Sequence, residues 1–299
     1  MGKPGVRFDS RCTANTNPSP RTGATVPRTR PSGPRPRKAL GQHFLRDTGV
    51  LQDITNAVRC PEGALVLEIG PGTGQLTEFL LNAGHRVVAL EIEDRMIAHL
   101  QRRFPGHERL RVVAGDARLF EPADVIPPGV PFVAVGNLPY FAANPIIRHL
   151  LESEPQPREM VIMVQREVAK EIAARDGDWS LLSISVRVYA EPELLFNVPP
   201  EAFDPPPAVV SSVVRLVIRD QPLVAPERNA EFFDFVSRVF RNPRKQIHNG
   251  LSRGIWLPPE GAMLALERAG IASTRRPETL DIQEWLTLMD ACIEVRESA

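Results

Sequence analysis

Leu65-Val66-Leu67-Glu68-Ile69-Gly70-Pro71-Gly72-Thr73-Gly74-Gln75 is the stretch on which the fold turns. Leu65–Ile69 is an apolar run of strand length. The glycines after it stand where a strand must reverse into a helix. Glycine permits the tight turn and lets main-chain groups approach a ligand closely. The spacing is G-x-G-x-G. An NAD-dependent oxidoreductase would carry G-x-G-x-x-G around the pyrophosphate, so that class is disfavoured.

Outward from this stretch, strands and helices alternate. Gln75–Asn82 reads as a helix, Arg86–Glu91 as a strand, Asp94–Phe104 as a helix and Leu110–Ala114 as a strand. Pro131–Gly136 is a fourth strand, Pro145–Leu151 a helix and Glu159–Val164 a fifth strand. This alternation predicts an α/β fold with a mostly parallel sheet covered on both faces. The β-rich runs Leu181–Tyr189 and Val209–Ile218 are expected to close the sheet as a terminal hairpin. After Arg219 the period becomes helical in Glu231–Phe240, Pro243–Leu251, Glu260–Ala269 and Ile282–Val295. A boundary near Asp220 divides a catalytic part, 37–220, from a small all-α part, 221–299.

At 299 residues, 42% hydrophobic and 24% charged, the composition is that of a globular protein. No apolar run approaches the ~20 residues that span a bilayer, and MGKPGVRFDSR lacks a signal peptide's apolar core. The expected location is the cytoplasm. Cys12, Cys60 and Cys292 lie too far apart for a metal motif and read as unpaired thiols; no metal is expected. The net charge is zero but uneven: in residues 1–38, Lys3, Arg7, Arg11, Arg21, Arg28, Arg30, Arg35, Arg37 and Lys38 stand against Asp9 alone. Residues 1–36 lack periodic apolar positions and are expected to be a disordered basic tail. A transit peptide, an RNA-attracting arm and a dispensable tail all fit it.

Two acidic residues continue the pattern of the glycine loop. Glu91 ends the second strand, where a carboxylate can accept from ribose hydroxyls. Asp116 follows the third, where one can accept from an adenine amine. Strand C-termini form the ligand crevice of such sheets. E-x-G-x-G-x-G, Glu91 and Asp116 together resemble the class I S-adenosylmethionine methyltransferases, whose sheet is seven-stranded and Rossmann-like. The resemblance implies that Gly70, Gly72 and Gly74 approach the amino-acid part of S-adenosylmethionine. Glu68 would support the loop, Glu91 take the ribose and Asp116 the adenine.

The fourth strand runs into Asn137-Leu138-Pro139-Tyr140. An adenine N6 lone pair is delocalised into the ring and is a poor nucleophile. Acceptors for both N6 hydrogens favour a pyramidal, more reactive nitrogen. The Asn137 side-chain oxygen can be one. Pro139 holds Leu138 extended, so the Leu138 carbonyl can be the other. Tyr140 offers a ring for stacking. The tetrapeptide resembles the (D/N/S)-P-P-(Y/F) signature of amino-methylating enzymes, in the form typical of rRNA adenine N6-methyltransferases. There Asn137 also borders the cofactor.

Further motifs resemble the KsgA/RsmA family of rRNA adenine dimethyltransferases. Gly41-Gln42-His43-Phe44-Leu45 is similar to its opening element, which implies that Gln42, His43 and Leu45 cover the cofactor. Val164-Gln165-Arg166-Glu167 and Val198–Pro207, with the sequence VPPEAFDPPP, also match. The resemblance implies that Phe203 closes on the base opposite Tyr140. In the helical part, Arg238, Arg241, Arg244 and Lys245 lie in a basic segment similar to the family's, with an RNA-binding role implied. The substrate implied is two adjacent adenines near the 3′ end of 16S rRNA, within a pre-30S particle, and the enzyme is implied to be a monomer. Departures are Ala208 for the usual Lys, Asp178-Trp179-Ser180 for Tyr-Gly, and Phe141 for Asn. An Erm-type enzyme acting on 23S rRNA and a non-catalytic nucleic-acid-binding relative are the rival readings.

Overall fold

The computed structural model describes residues 34, 42–241 and 244–298. Apart from Pro34, the tail expected to be disordered lies outside the described residues. In chain order the elements are β1 Phe44–Leu45, α1 Thr48–Ala57, β2 Leu65–Ile69, α2 Gln75–Asn82, β3 Arg86–Glu91, α3 Asp94–Arg103 and β4 Leu110–Ala114. Next come β5 Phe132–Asn137, α4 Ala143–Glu152, β6 Glu159–Gln165, α5 Arg166–Ile172, α6 Leu181–Tyr189, β7 Ala190–Val198, β8 Phe203–Asp204 and β9 Ser211–Ile218. The chain continues with α7 Asn229–Val239, α8 Ile247–Gly254, α9 Gly261–Arg268 and α10 Ile282–Glu297. No helix among the described residues is long and apolar enough to cross a membrane.

The main sheet has seven strands in the order β4-β3-β2-β5-β6-β9-β7. β4 to β6 are parallel, whereas β9 runs antiparallel to both β6 and β7. Strand order reverses between β2 and β5. A crevice opens outside the carboxyl ends of the strands at such a switch point. β2 ends in the glycine loop and β5 in Asn137, so two motifs far apart in sequence meet there. The strands approach closely: a Cβ on Gly136 would lie 2.5 Å from the Ile69 carbonyl oxygen.

Alternate strand residues feed two apolar layers. Leu65, Leu67 and Ile69 pack with α4 and α6, while Val66, Val87 and Val133 pack with α1 and α2. Strands covered on both faces read as continuous apolar runs, and this made them legible. The first layer does not stop at residue 220. Ile184 and Val188 of α6 share it with Phe232 of α7 and Trp285 of α10, and Asn229 Nδ2 donates to the Tyr189 hydroxyl at 3.0 Å.

One expected element is corrected. Leu181–Tyr189 is the helix α6, not a hairpin strand; Ser180 caps it, accepting from Leu182 N and Ser183 N, both at 3.2 Å. Ile184, Val186 and Val188 alternate as in a strand, but the helix is buried on several sides, which hides its 3.6-residue period. The hairpin partner of β9 is β7, where Pro192 and two glutamates suit an exposed edge strand. The helix α1 is also new; Asp47 caps it through Gly49 N at 2.8 Å and Val50 N at 3.1 Å. The later helices differ from expectation at their ends, and Pro243 lies outside the described residues.

Candidate active site

The glycine loop leaves β2 with Gly70, Gly72 and Gly74 all at positive φ. At Gly74, which starts α2, φ is +77° and a Cβ would lie 2.8 Å from Leu100 and 2.9 Å from Phe104. That position needs glycine for conformation and for space. Glu68, 1% exposed, anchors the loop from below by accepting from the Thr77 hydroxyl at 2.6 Å. Burial pushes its pKa up to about 7. Glu91 is 6% exposed and accepts from three backbone N–H groups: Ile92 at 2.9 Å, Glu93 at 3.0 Å and Gly72 at 3.2 Å. These bonds fasten the end of β3 to the loop, while burial raises the Glu91 pKa.

The tetrapeptide after β5 is braced from two distant segments. Asn137 Nδ2 donates to the His43 carbonyl at 3.1 Å. This bond fixes the amide orientation and leaves its Oδ1 as the acceptor. Leu138 is buried and its N–H donates to Met163 O at 3.0 Å. Among the described residues no hydrogen bond takes up the Leu138 carbonyl. The Tyr140 hydroxyl shares a hydrogen bond with Ser211 Oγ at 3.0 Å, and its ring stacks on His43, centroids 6.2 Å apart. His43 Nδ1 lies 2.7 Å from Pro205 O; since a carbonyl only accepts, Nδ1 carries the proton. β1 and β8 pair antiparallel, Leu45 opposite Phe203, and join the N-terminal segment to the proline-rich loop beneath the site. Gln42 Nε2 donates to Glu93, and Arg95 donates to Gln42 Oε1 at 2.9 Å, so the segment is held to the turn after Glu91.

A parallel-sheet switch point, a glycine loop, a buried acceptor at the end of β3 and an oriented Asn-Leu-Pro-Tyr turn are thus one constellation. Residues 33–294 match the family described as ribosomal RNA adenine dimethylase. The chain belongs to that family. It is 39% identical over 254 residues to the ribosomal RNA small subunit methyltransferase A of Dehalococcoides mccartyi, covering 85% of this chain and 87% of that one. It is also 39% identical to the protein of the same name from Pseudomonas aeruginosa over 264 residues, covering 87% and 96%. Among solved structures, a dimethyladenosine transferase from Plasmodium falciparum aligns with a TM-score of 0.70 at 27% identity, covering 82% of this chain and 96% of that one. The 23S rRNA methyltransferase ErmE aligns at 0.65 and 28% identity, covering 84% and 99%.

Against the expectations for a dimethylase site, Gln42, His43, Leu45, Glu68, the three glycines, Glu91 and Asn137–Tyr140 lie in the two networks described. Asp116 stands after β4 but its carboxylate is engaged: Arg118 N donates to it at 2.9 Å and Arg118 Nε at 3.0 Å. This guanidinium holds the Asp116 pKa down. Phe203 departs from expectation. Its ring is 2% exposed among Leu45, Val198 and Ala202, so the proline-rich loop does not present it as a free face. The physical reason is its pairing with β1, which turns the side chain into the second apolar layer. Arg238, Arg241, Arg244 and Lys245 are exposed around the turn from α7 to α8, with Arg238 Nε donating to Asp234 at 2.9 Å. Three positions escaped the sequence reading. The Phe44 ring closes over the glycine loop, 3.1 Å from where a Gly72 Cβ would be. Ile92 and Leu119, 61% and 76% exposed, follow Glu91 and Asp116. An apolar residue one position after Glu91 and another three positions after Asp116 were the available signal.

Proposed function

We propose that this chain transfers methyl groups from S-adenosylmethionine to N6 of two adjacent adenines near the 3′ end of 16S rRNA, in small-subunit biogenesis. The observation that carries the reading is the Asn137 amide, whose nitrogen is committed to the His43 carbonyl so that its oxygen serves as an acceptor at the sheet switch point. The names of the relatives in D. mccartyi and P. aeruginosa favour the small subunit over the 23S rRNA substrate of ErmE.

The residues present fit the cofactor. A Cβ placed on Gly70 meets nothing within 4 Å, so the loop is open on the side where a ligand would lie. Glu91 supplies buried acceptor capacity for ribose hydroxyls. The exposed faces of Ile92 and Leu119 suit a flat purine, with Asp116 at its amine. S-adenosylmethionine, held there, supplies an electrophilic methyl group. The chain supplies position and acceptors. Asn137 Oδ1 and the Leu138 carbonyl take the two N6 hydrogens, localising the lone pair towards the methyl. Tyr140 stacks on the extruded base and offsets part of the unstacking cost, a few kcal/mol. Alignment and preorganised dipoles lower the barrier. No side-chain base is required, because the alkylated nitrogen is acidic enough to give its proton to water.

Residues 221–299 would form the RNA-binding domain, with Arg238, Arg241, Arg244 and Lys245 contacting phosphate. A pre-30S particle is the expected target, met by a monomer in the cytoplasm, with RNA shape doing much of the selecting. The test is mass spectrometry of 16S rRNA from a strain lacking this chain. N6,N6-dimethyladenosine should be absent and return with the wild-type chain but not with Asn137→Ala. Unchanged 16S rRNA together with lost 23S methylation would transfer the case to the Erm reading.

A further inference from the structure

We infer that Phe141 is an RNA contact, stacking on the nucleotide that immediately flanks the adenine being methylated. The inference rests on the function proposed above and adds a substrate-positioning residue to it. Phe141 follows Tyr140 in the turn from β5 to α4. Leu138, Ala142 and Ala143 around it are 1%, 4% and 1% exposed, whereas Phe141 is 69% exposed. The turn is closed by Ala142 N donating to Pro139 O at 2.9 Å, and α4 starts with Ile146 N on Ala142 O at 3.0 Å. With both neighbours pinned, the ring at 141 is held outward at the mouth of the site.

The other aromatic rings of this region are already engaged. Tyr140 has one face against His43 and its hydroxyl on Ser211. Phe44 lies on the glycine loop, and Phe203 is 2% exposed in the apolar layer. Among the described residues Phe141 is the phenylalanine left with a large open face.

An unpaired RNA base is the occupant this face suits. Extruding one adenine strips its neighbour of a stacking partner, and any base offers a π-face to an aromatic ring. Phe141 is the residue next to Tyr140, their Cα atoms about 3.8 Å apart, so its exposed ring leaves the chain beside the one that receives the target. Where two adjacent adenines are modified, the flanking base is the second target, and Phe141 would hold one while the other reacts.

The test uses small subunits reconstituted on 16S rRNA whose 3′ segment is a ligated synthetic strand. That strand is either intact or abasic at the 5′ or the 3′ neighbour of the reacting adenine. Methylation of the intact particle by Phe141→Ala should show KM raised roughly tenfold, in the range of one lost base stack, with kcat within about twofold. S-adenosylmethionine affinity should be unchanged, and Phe141→Trp should restore KM. On the particle abasic at the stacked neighbour, Phe141→Ala and wild type should perform alike. The inference is overturned if KM does not move, if the tenfold penalty persists on both abasic particles, or if cofactor affinity falls in parallel. Wild-type chain inactive on the intact particle would overturn the proposed function itself, and this inference with it.

Discussion

Glu91 at the carboxyl end of β3 and Glu159 at the start of β6 are almost equally buried, 6% and 5% exposed, yet their surroundings are opposite. Glu91 accepts from backbone N–H groups. Glu159 faces the guanidinium of Arg215, itself 5% exposed, with Nε at 3.5 Å, and accepts from Arg59 N at 2.6 Å. Arg215 also donates to Glu193 at 2.8 Å and to Ala57 O at 2.7 Å, tying the end of α1 to the sheet. Glu159 is therefore tied into an ionic cluster with Arg215, whereas Glu91 is held by neutral donors and keeps acceptor capacity for a ligand. A buried charge that is already neutralised locks structure, whereas an incompletely paired one has interaction energy left for a guest.

The sharpest test of that division is Asn137→Ala. It removes the acceptor for the reacting amine together with the Nδ2 bond to the His43 carbonyl, so kcat should fall by about 10²–10³-fold, the scale seen when one preorganised transition-state hydrogen bond is lost. Unfolding free energy should fall by only about 1 kcal/mol, the net worth of that one structural hydrogen bond. Measured methylation rates and denaturant curves on the same samples give both readouts. An equal loss of stability would mean the turn is structural and break the contrast.

At the other end, Arg215→Met strands Glu159 without its cation. Breaking a buried pair costs ~3–5 kcal/mol. Because Glu193 is more than half exposed, the lower part of that range is expected in chemical denaturation. Methyl transfer per folded molecule should stay within a few-fold of wild type. A variant as stable as wild type but inactive would invert the assignment of the two ends.

The smallest effect is expected at Glu68. Its folded pKa, about 7, lies above the ordinary 4.5, so folding takes up a proton. The stability this contributes is complete below the ordinary value and is lost as pH rises through 7. Glu68→Gln keeps a polar group facing Thr77 and removes the titration. The fall in stability of the wild type between pH 5 and 8, on the order of 2 kcal/mol, should flatten in the variant. Denaturation midpoints across that range measure it; parallel pH curves for the two proteins would show that Glu68 is not the group responsible.

The readability of the two ends differed as well. The strands β2 to β6, the glycine loop and the Asn-Leu-Pro-Tyr turn were all visible in the chain, because strands covered on both faces are continuous apolar runs and glycine turns are local. The family could be named on those motifs. Local pattern failed where packing overrides it. α6 alternates like a strand yet is a helix, because it is buried on several sides. The family resemblance implies that Phe203 faces the target base, yet pairing with β1 turns it inward. Nor does any local signal tie Asn137 to His43 or Glu159 to Arg215. The amino-acid order alone determined which residues can do the chemistry, since side-chain type and backbone permissiveness are local properties. Which of those residues stay free to do it was decided only by the tertiary structure, because a partner that consumes or orients a polar group arrives from a distant part of the chain.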